Sequence, residues 1–426
     1  MEDDLWFYTP DPTMSLQKPP PNENIANLNL PSKKTDNFFY KLSSLGSKVP
    51  GFPYYLAILC FISIILCYYI YTRYRHLIHP LFKHLLPGAF SFLFVLFVTP
   101  LCIRTALKFR IVDKNTRQNA GKNAIPLLGG MAIYLSFLFI SCIYQPWTPQ
   151  MLSIIIGGSI IFIIGTIDDI KPISSIIRLI GQLIACIIVM KSGLVITFFQ
   201  DANLGHIITY LTTLIWILGI INATNFVDGV DGLATGFAVI SASFFLLITL
   251  HLEQFQIAIT SSILIGSGLG FLIYNFKPAK IYLGDGGSTF LGFLLACIAL
   301  YGGWSSWGPV ISIGIPLLIL GVLIFDMIYI TISRIKNGSV KNFRQWLDYR
   351  GRDHFHHRLI NLGFKEEEAV LFIYAICIIL GLSALVIENA RVSYPVVVLL
   401  IQATLIFILI SMLMLKGRQL EHDKHE

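Results

Sequence analysis

The feature of this sequence that most limits its fold is a series of apolar stretches, several of them about 20 residues long, separated by polar segments. A helix of that length spans the hydrocarbon core of a bilayer. The pattern therefore predicts about 11–12 transmembrane helices. The predicted spans cover residues 53–72, 88–108, 126–144, 150–167, 175–190, 206–222, 232–249, 257–274, 288–301, 310–333, 367–387 and 394–415.

Composition agrees with a membrane protein and argues against a soluble domain. Hydrophobic residues make up 55% of the 426 residues, charged residues make up 13%, and the mean hydropathy is +0.71. Backbone polar groups in lipid must be satisfied within each segment, so long apolar runs favour helices over the alternating strands of a barrel. The predicted fold class is all-α, a polytopic helical membrane protein. Its surroundings are the lipid bilayer, and we expect no nucleic-acid partner.

The domain organisation follows from the same contrast between polar and apolar segments. Residues 1–50 are polar and lack periodicity, which predicts a flexible N-terminal tail. Residues 53–86 hold an extra span and a basic connector, and 88–415 form one multi-span domain. Within that domain the sequence predicts a cytoplasmic His/Arg loop at 334–366, and residues 416–426 form a cytoplasmic tail.

The distribution of basic residues predicts the topology. Two predicted spans separate each polar cluster from the next, so all five clusters emerge on the same side; they are 109–125, 168–174, 223–231, 275–287 and 334–366. Lysines and arginines concentrate in these clusters and their flanks, whereas the opposite loops after residue 140 carry Lys191 and Arg391. By the positive-inside rule, the five clusters face the cytoplasm.

Acidic and amide side chains lie at the ends of these spans. Carboxylates beside a bilayer are costly and commonly functional. Oxygen ligands without a nearby thiolate favour Mg²⁺, or Mn²⁺, over zinc, and adjacent carboxylates can shift each other's pKa enough for acid–base work. An isolated Asp-Asp pair is equally compatible with a simple helix-ending turn. The group comprises Asp168, Asp169, Asn222, Asn225, Asp228, Asp231 and Asp285.

Three interpretations compete for the loop segment Gly351–Leu359, which is rich in histidine and arginine. A zinc site is disfavoured because histidines at i and i+4 and nearby thiolates are both missing from the sequence of this loop. A basic face against anionic lipid headgroups is the second interpretation. The favoured one is that imidazoles and guanidinium groups bind phosphate oxygens opposite an acid-bound metal. The residues concerned are His354, His356, His357 and Arg358.

Four motifs together resemble those of the polyprenyl-phosphate N-acetylhexosamine-1-phosphate transferases of glycosyltransferase family 4. The resemblance covers roughly residues 88–415 and is closest to the bacterial undecaprenyl-phosphate N-acetylglucosaminyl-1-phosphate transferases. Further matches begin at Arg110, Pro126 and Arg178. The motifs are Asp168-Asp169, Asn222-x-x-Asn225-x-x-Asp228-Gly-Val-Asp231-Gly-Leu, Leu283-Gly284-Asp285-Gly-Gly-Ser288 and His354-Phe-His356-His357-Arg358-Leu359.

The resemblance implies a reaction in which a UDP-N-acetylhexosamine and polyprenyl phosphate give polyprenyl-diphospho-N-acetylhexosamine and UMP, with Mg²⁺ as cofactor. Asp285 and Asp228 would lie on the metal side of the site. Asp168 would deprotonate or orient the lipid phosphate, and Asp169 would help to hold the site together.

The remaining roles implied by the resemblance concern substrate binding. Asp231 would hydrogen-bond uracil and Tyr282 would stack on it, and Asn225 would lie beside the sugar nucleotide. Lys122 would replace a basic patch that relatives often carry before Pro126. The other expected substrate-binding residues are Asn222, His354, His356, His357 and Arg358.

The resemblance also sets expectations for location and specificity. It implies a multi-pass protein of the bacterial cytoplasmic membrane that acts early in synthesis of a cell-envelope glycan such as O-antigen. UDP-N-acetylglucosamine is the default donor, and UDP-N-acetylfucosamine and UDP-N-acetylquinovosamine are its rivals. Two other classes stay open on the residues alone, a secondary transporter and an intramembrane aspartyl protease. The oligomeric state stays open as well, a homodimer included.

Overall fold

The computed structural model of the protein describes residues 80–113, 125–196, 205–304, 309–342, 345–346, 349, 351, 353–388 and 393–422. The tail at 1–50, the predicted span at 53–72 and Lys122 lie outside these ranges. The described residues form thirteen α-helices. They are α1 Pro80–Lys108, α2 Gly129–Tyr144, α3 Pro149–Ile170, α4 Ser175–Lys191, α5 Gly205–Val227, α6 Leu233–His251, α7 Phe255–Asn275, α8 Gly284–Tyr301, α9 Pro309–Ile319, α10 Gly321–Lys336, α11 Phe355–Asn361, α12 Glu366–Glu388 and α13 Ser393–His422.

The helices confirm the predicted fold class. Among the described residues, eight helices are long and apolar enough to cross a membrane, and the bent pair α9 and α10 raises the number to nine. Helix α2 has 16 residues and α4 has 17, so both are shorter than an ordinary span. Helix α2 stops early because Gln145 precedes Pro146 and is extended, as a residue before proline prefers.

The span predicted at 310–333 is broken. Helices α9 and α10 meet at an angle of 76°. Pro316 lies in the last two turns of α9, and Gly321 begins α10 immediately after the break. Proline and glycine are the usual causes of a sharp bend because one lacks an amide hydrogen and the other lacks a side chain.

Helix α8 lies at the centre of the bundle and α13 at its edge. Within their most apolar windows, 83% of the α8 residues are buried against 17% of those in α13. Helix α8 packs against α2, α3, α5 and α6. The exposed side chains of α13 include Leu405, Leu409 and Met412, which suits a helix that faces lipid.

Small residues bring the backbones around α8 close together. A Cβ atom added to Gly130 would lie 2.3 Å from Cα of Gly287, and one added to Gly165 would lie 2.5 Å from Cα of Gly286. Glycines at such crossings let membrane helices approach more closely than larger side chains allow. The start of α8 therefore sits directly beside the start of α2 and the end of α3.

We expect Gly130→Ala to destabilise the protein by about 1–3 kcal/mol, because its methyl group would force the α2–α8 crossing apart. The change should appear as a lower Tm in detergent. Gly314→Ala is the matched control, since a Cβ there meets no atom within 4 Å. Equal Tm values for the two variants would contradict the close approach.

Candidate active site

The start of α8 is capped by a carboxylate from another helix. Asp169, in the last turn of α3, accepts hydrogen bonds from the backbone N–H groups of Asp285 (2.8 Å) and Gly286 (3.0 Å). The first amides of a helix have no partner within their own helix. Asp169 supplies that partner and so fixes Asp285 relative to α3.

An arginine joins the first and third acidic motifs. Nη1 of Arg178, in the first turn of α4, lies 3.2 Å from Oδ2 of Asp168 and 3.6 Å from Oδ2 of Asp285. Oδ1 of Asp168 accepts from the N–H of Ile173 at 2.7 Å. Both oxygens of Asp168 are therefore engaged within the protein, whereas one-third of the Asp285 side chain is exposed.

The two asparagines of the second motif lie near the end of α5, which extends to Val227. Nδ2 of Asn225 donates to Oδ1 of Asp285 at 3.1 Å and lies 2.9 Å from Oγ of Ser288. Nδ2 of Asn222 donates to Oε1 of Gln182 at 3.1 Å. Asn225 thus orients Asp285 directly, while Asn222 connects α5 to α4.

The turn after α5 is fixed to the end of α7 and to the segment that follows it. The N–H of Ala279 donates to Oδ2 of Asp231 at 2.9 Å, and the N–H of Gly232 donates to Oδ1 of Asn275 at 3.1 Å. Gly232 has φ +79°, a backbone conformation that favours glycine. Tyr282 is held through its backbone, since its N–H donates to the Pro126 carbonyl at 2.8 Å.

Two cavities meet at Asp228, Gly229 and Asp285, which line both of them. The first measures about 320 Å³, and its other lining residues are Ser175, Arg178, Leu179, Gln182, Asn222, Asn225, Phe226, Thr289, Tyr349, Gly351, His354 and His357. The second measures about 300 Å³, and its other lining residues are Asp113, Leu127, Asp169, Val230, Asp231, Asn275, Tyr282 and Gly284. The site thus has two compartments on either side of a pair of carboxylates.

The second cavity is strongly acidic. Desolvation raises the pKa of Asp228 well above its usual range, and the charges of Asp285, Asp169 and Asp231 act in the same direction. Desolvation likewise raises the pKa of Asp231, against the opposing hydrogen bond from Ala279. Burial, with the neighbouring acids, raises the pKa of Tyr282 to about 12, so its phenol stays neutral at physiological pH.

Two histidines of the loop line the first cavity, whereas a third is buried away from it. His354 and His357 line the first cavity. His356 is 1% exposed, and burial together with its two histidine neighbours lowers its pKa well below the usual value, so the ring is neutral. His356 and Arg358 line neither cavity, and the prediction that they bind substrate stays untested.

Comparison with known proteins identifies the family. Residues 151–303 match the sequence model described as "Glycosyl transferase family 4". The chain is 37% identical over 311 residues to the "Probable undecaprenyl-phosphate N-acetylglucosaminyl 1-phosphate transferase" of Bacillus subtilis, which covers 71% of this chain and 84% of that relative. The chain belongs to glycosyl transferase family 4. The family predicted from the motifs is therefore confirmed.

Two further family members are more distant. The chain is 27% identical over 333 residues to the "Decaprenyl-phosphate N-acetylglucosaminephosphotransferase" of Mycobacterium leprae, covering 69% of this chain and 81% of the relative. It is also 27% identical over 308 residues to the "Undecaprenyl-phosphate alpha-N-acetylglucosaminyl 1-phosphate transferase" of Salmonella typhi, covering 68% and 80%. These matches extend well beyond the region of the family model.

The oxygen ligands in this site suit a cation whose coordination is completed by the substrate. Among the described residues no group of three or more His, Cys, Asp or Glu is arranged to hold a metal ion. Magnesium, however, is usually bound by one or two carboxylates together with substrate phosphates. Asp228 and Asp285 face both cavities, so they fit that pattern and not a metal cage made by the protein alone.

Sequence reasoning missed four residues that organise the site. Arg178 was noted as part of a matching stretch but was not assigned to the site. Asp326 and Arg334 contact the His354 ring, and Asp353 contacts Arg334; none of the three was predicted. Asp326 carried a usable signal, because a lone carboxylate inside an apolar span is commonly functional.

Replacing Asp169 by asparagine should lower both stability and activity, because the amide can accept only one of the two N–H bonds and lacks the charge that strengthens them. We expect a loss of about 1.5–3 kcal/mol, measured as a lower Tm. Glu367→Gln, which removes an exposed carboxylate on α12, is the control. A wild-type Tm for Asp169→Asn would show that the cap does not hold α8.

Proposed function

We propose that this protein transfers an N-acetylhexosamine-1-phosphate, by default N-acetylglucosamine-1-phosphate, from a UDP-sugar to a polyprenyl phosphate and releases UMP. The observation that carries the proposal is the pair of cavities sharing Asp228 and Asp285. Such a site can hold two phosphate-bearing substrates on either side of one carboxylate pair. The names of the relatives, which are prenyl-phosphate N-acetylglucosamine phosphotransferases, support the same reaction.

The nucleotide half of the donor belongs in the second cavity. Tyr282 offers a neutral aromatic ring for stacking on uracil. Oδ2 of Asp231 accepts from the N–H of Ala279, and its other oxygen would accept from the uracil N–H. The donor diphosphate then extends toward Asp228 and Asp285, where the two cavities meet.

A bound Mg²⁺ ion, for which Mn²⁺ is an alternative, would be held by Asp285 and Asp228 and would neutralise diphosphate charge. Asn225 would keep the Asp285 carboxylate in place through its 3.1 Å hydrogen bond. Arg178, which contacts Asp168 and Asp285, would place a guanidinium beside the phosphate groups.

The acceptor phosphate belongs in the first cavity. Its oxygen attacks the β-phosphorus of the donor, a new P–O bond forms, and the bond from that phosphorus to the bridging oxygen breaks, so UMP leaves with the bridging oxygen. A phosphate monoester has a second pKa near 6, and its attacking oxygen is therefore largely ionised at neutral pH. Asp168 then acts by orienting Arg178 and not by removing a proton, since both of its oxygens are engaged.

Direct attack is the simpler mechanism for this geometry, because donor and acceptor reach the carboxylate pair from separate cavities. A two-step mechanism would instead release UMP before the acceptor binds. Isolation of a half-reaction that releases UMP without polyprenyl phosphate would contradict direct attack.

The proposal includes a location and a donor. The positive-inside distribution favours a cytoplasmic site in a bacterial inner membrane, where a soluble UDP-sugar meets a phosphate at headgroup level. UDP-N-acetylglucosamine is preferred, with UDP-N-acetylfucosamine and UDP-N-acetylquinovosamine as alternatives. A cell-envelope glycan such as O-antigen is the expected destination of the product.

Two other classes fit the geometry less well. A transporter would concentrate its carboxylates near the bilayer midplane, whereas Asp169 and Asp285 lie at helix ends. An intramembrane aspartyl protease would pair Asp285 with a second aspartate inside a helix. Asp326 lies inside α10, but its carboxylate contacts His354 and Phe355.

The decisive experiment measures UMP release from UDP-N-acetylglucosamine by purified protein in detergent, with polyprenyl phosphate and Mg²⁺ added separately and together. We expect release only when both are present. Asp285→Asn should abolish release without lowering Tm, because it removes a metal-side carboxylate and relieves repulsion among neighbouring acids.

Different outcomes test the identity of the donor sugar and the class of reaction. Release with another UDP-N-acetyl sugar alone would keep the reaction and change the donor. Absence of release with every donor and acceptor would contradict the proposed function. Full activity of Asp285→Asn would contradict the role of this residue.

The placement of uracil makes a separate prediction. Tyr282→Ala should raise the KM for the donor by about tenfold or more, since stacking of a base on an aromatic ring contributes about 1–3 kcal/mol. Tyr282→Phe retains the ring and should resemble the wild type. Steady-state kinetics and inhibition by UMP test this, and equal KM values for Tyr282→Ala and Tyr282→Phe would contradict stacking.

A further inference from the structure

Four buried or half-buried side chains contact one another in series beside the first cavity. Oδ2 of Asp326 lies 2.8 Å from Nδ1 of His354, and Nε2 of His354 lies 3.3 Å from Nη2 of Arg334. Arg334 continues to Asp353 through Nε–Oδ2 and Nη2–Oδ1 contacts of 2.8 and 2.6 Å. Two residues of α10 thereby hold both ring nitrogens of a histidine that lines the cavity.

Three of these four side chains are shielded from water. Asp326 is 3% exposed, Arg334 is 2% exposed and His354 is 5% exposed. Asp326 and Arg334 lie two turns apart on α10, so they share one face of the helix. The buried Ile330 lies between them on the same helix. Asp326 and Arg334, on either side of it, contact His354 in the loop.

The partners of His354 define which nitrogen carries its proton. Arg334 can only donate hydrogen bonds, so Nε2 of His354 must accept. Nδ1 then carries the hydrogen and donates to Asp326. The other oxygen of Asp326 accepts from the backbone N–H of Phe355 at 2.9 Å, which ties the start of α11 to the same carboxylate.

We propose that Asp326 is a positioning residue that fixes the Nδ1–H tautomer of His354 and, through Arg334, sets the histidine loop against the first cavity. The proposal rests on the proposed function, because its consequence is for turnover. Neither ring nitrogen of His354 is then directed at substrate. This differs from the substrate-binding role expected from the sequence.

Asp326→Asn tests the tautomer while sparing the fold. The amide oxygen can still accept from the N–H of Phe355, but the amide NH₂ would face Nδ1 of His354 as a donor. The ring would have to move its hydrogen to Nε2, where it would oppose the Arg334 donor. A misplacement of about 1 Å can cost about 100-fold in rate, so we expect kcat to fall by about that factor.

Three readouts distinguish positioning from unfolding. The affinity for UMP should match the wild type, since the second cavity does not include Asp326. Hydrogen exchange of the Phe355 amide should also match, whereas Asp326→Ala should accelerate it. Glu388→Gln is the matched control, because it neutralises another buried carboxylate in a membrane helix and should leave kcat unchanged.

A double-mutant cycle tests whether Asp326 acts through the imidazole. In a His354→Ala background, Asp326→Asn should lower kcat by less than about threefold, because the tautomer no longer exists to be changed. A wild-type kcat for Asp326→Asn would overturn the proposal. A full additional loss in the His354→Ala background, or rapid exchange of the Phe355 amide in Asp326→Asn, would also overturn it in favour of a purely structural role.

The wild-type protein separates failure of the two proposals. If it transfers no sugar phosphate under any condition, the proposed function fails, and the role of Asp326 in turnover fails with it. If the wild type transfers and Asp326→Asn transfers equally well, the proposed function stands and only the positioning role is lost.

Discussion

The site depends on the carboxylate of Asp169 at the N-terminus of α8. Its two hydrogen bonds, to the amides of Asp285 and Gly286, join the end of one membrane helix to the start of another. A buried charge is costly unless it is paired, and the positive end of the helix dipole with its unpartnered amides provides the compensation. Asp285 is thereby placed where Asn225 and Arg178 can reach it. The contacts of Asn225 and Arg178 with Asp285 therefore depend on this hydrogen-bonded position of Asp285.

Such a cap is possible only because the backbones meet closely. Gly165 of α3 and Gly286 of α8 leave no space for a Cβ atom at their crossing. Side chains there would force the helices apart and lengthen the hydrogen bonds of Asp169. In lipid, where apolar burial gives helices little reason to associate, close packing and hydrogen bonds between helices supply the attraction. The glycines and the carboxylate therefore act together.

The sequence could predict what depends on local chemistry. Apolar runs predicted the helices, and costly charges at their ends predicted Asp169, Asp228 and Asp285 as members of one cluster. Partners distant along the chain could not be predicted in this way. Pro316 and Gly321 mark the break in the sequence, but a proline and a glycine do not by themselves fix a bend of 76°. His354 was expected to bind substrate because it belongs to a segment whose imidazole and guanidinium groups suit phosphate oxygens. The contacts of its ring nitrogens with Asp326 and Arg334 could not be predicted, because only the tertiary structure brings α10 to this loop.

The two-cavity arrangement addresses a physical problem that any such reaction at a membrane surface meets. A polyprenyl chain must stay in lipid while its phosphate reacts, and a nucleotide sugar arrives from water. A cluster buried at the midplane would exclude the nucleotide, and one in a distant loop would not reach the lipid phosphate. Helix ends satisfy both demands, provided that the acids gathered there are neutralised. Arg178 neutralises part of that charge from within the protein, through its contacts with Asp168 and Asp285. In the proposed reaction, a divalent cation bound with the substrate would neutralise the rest. Under the proposed function, the same mutual repulsion of these acids would favour a diphosphate that binds together with a metal ion.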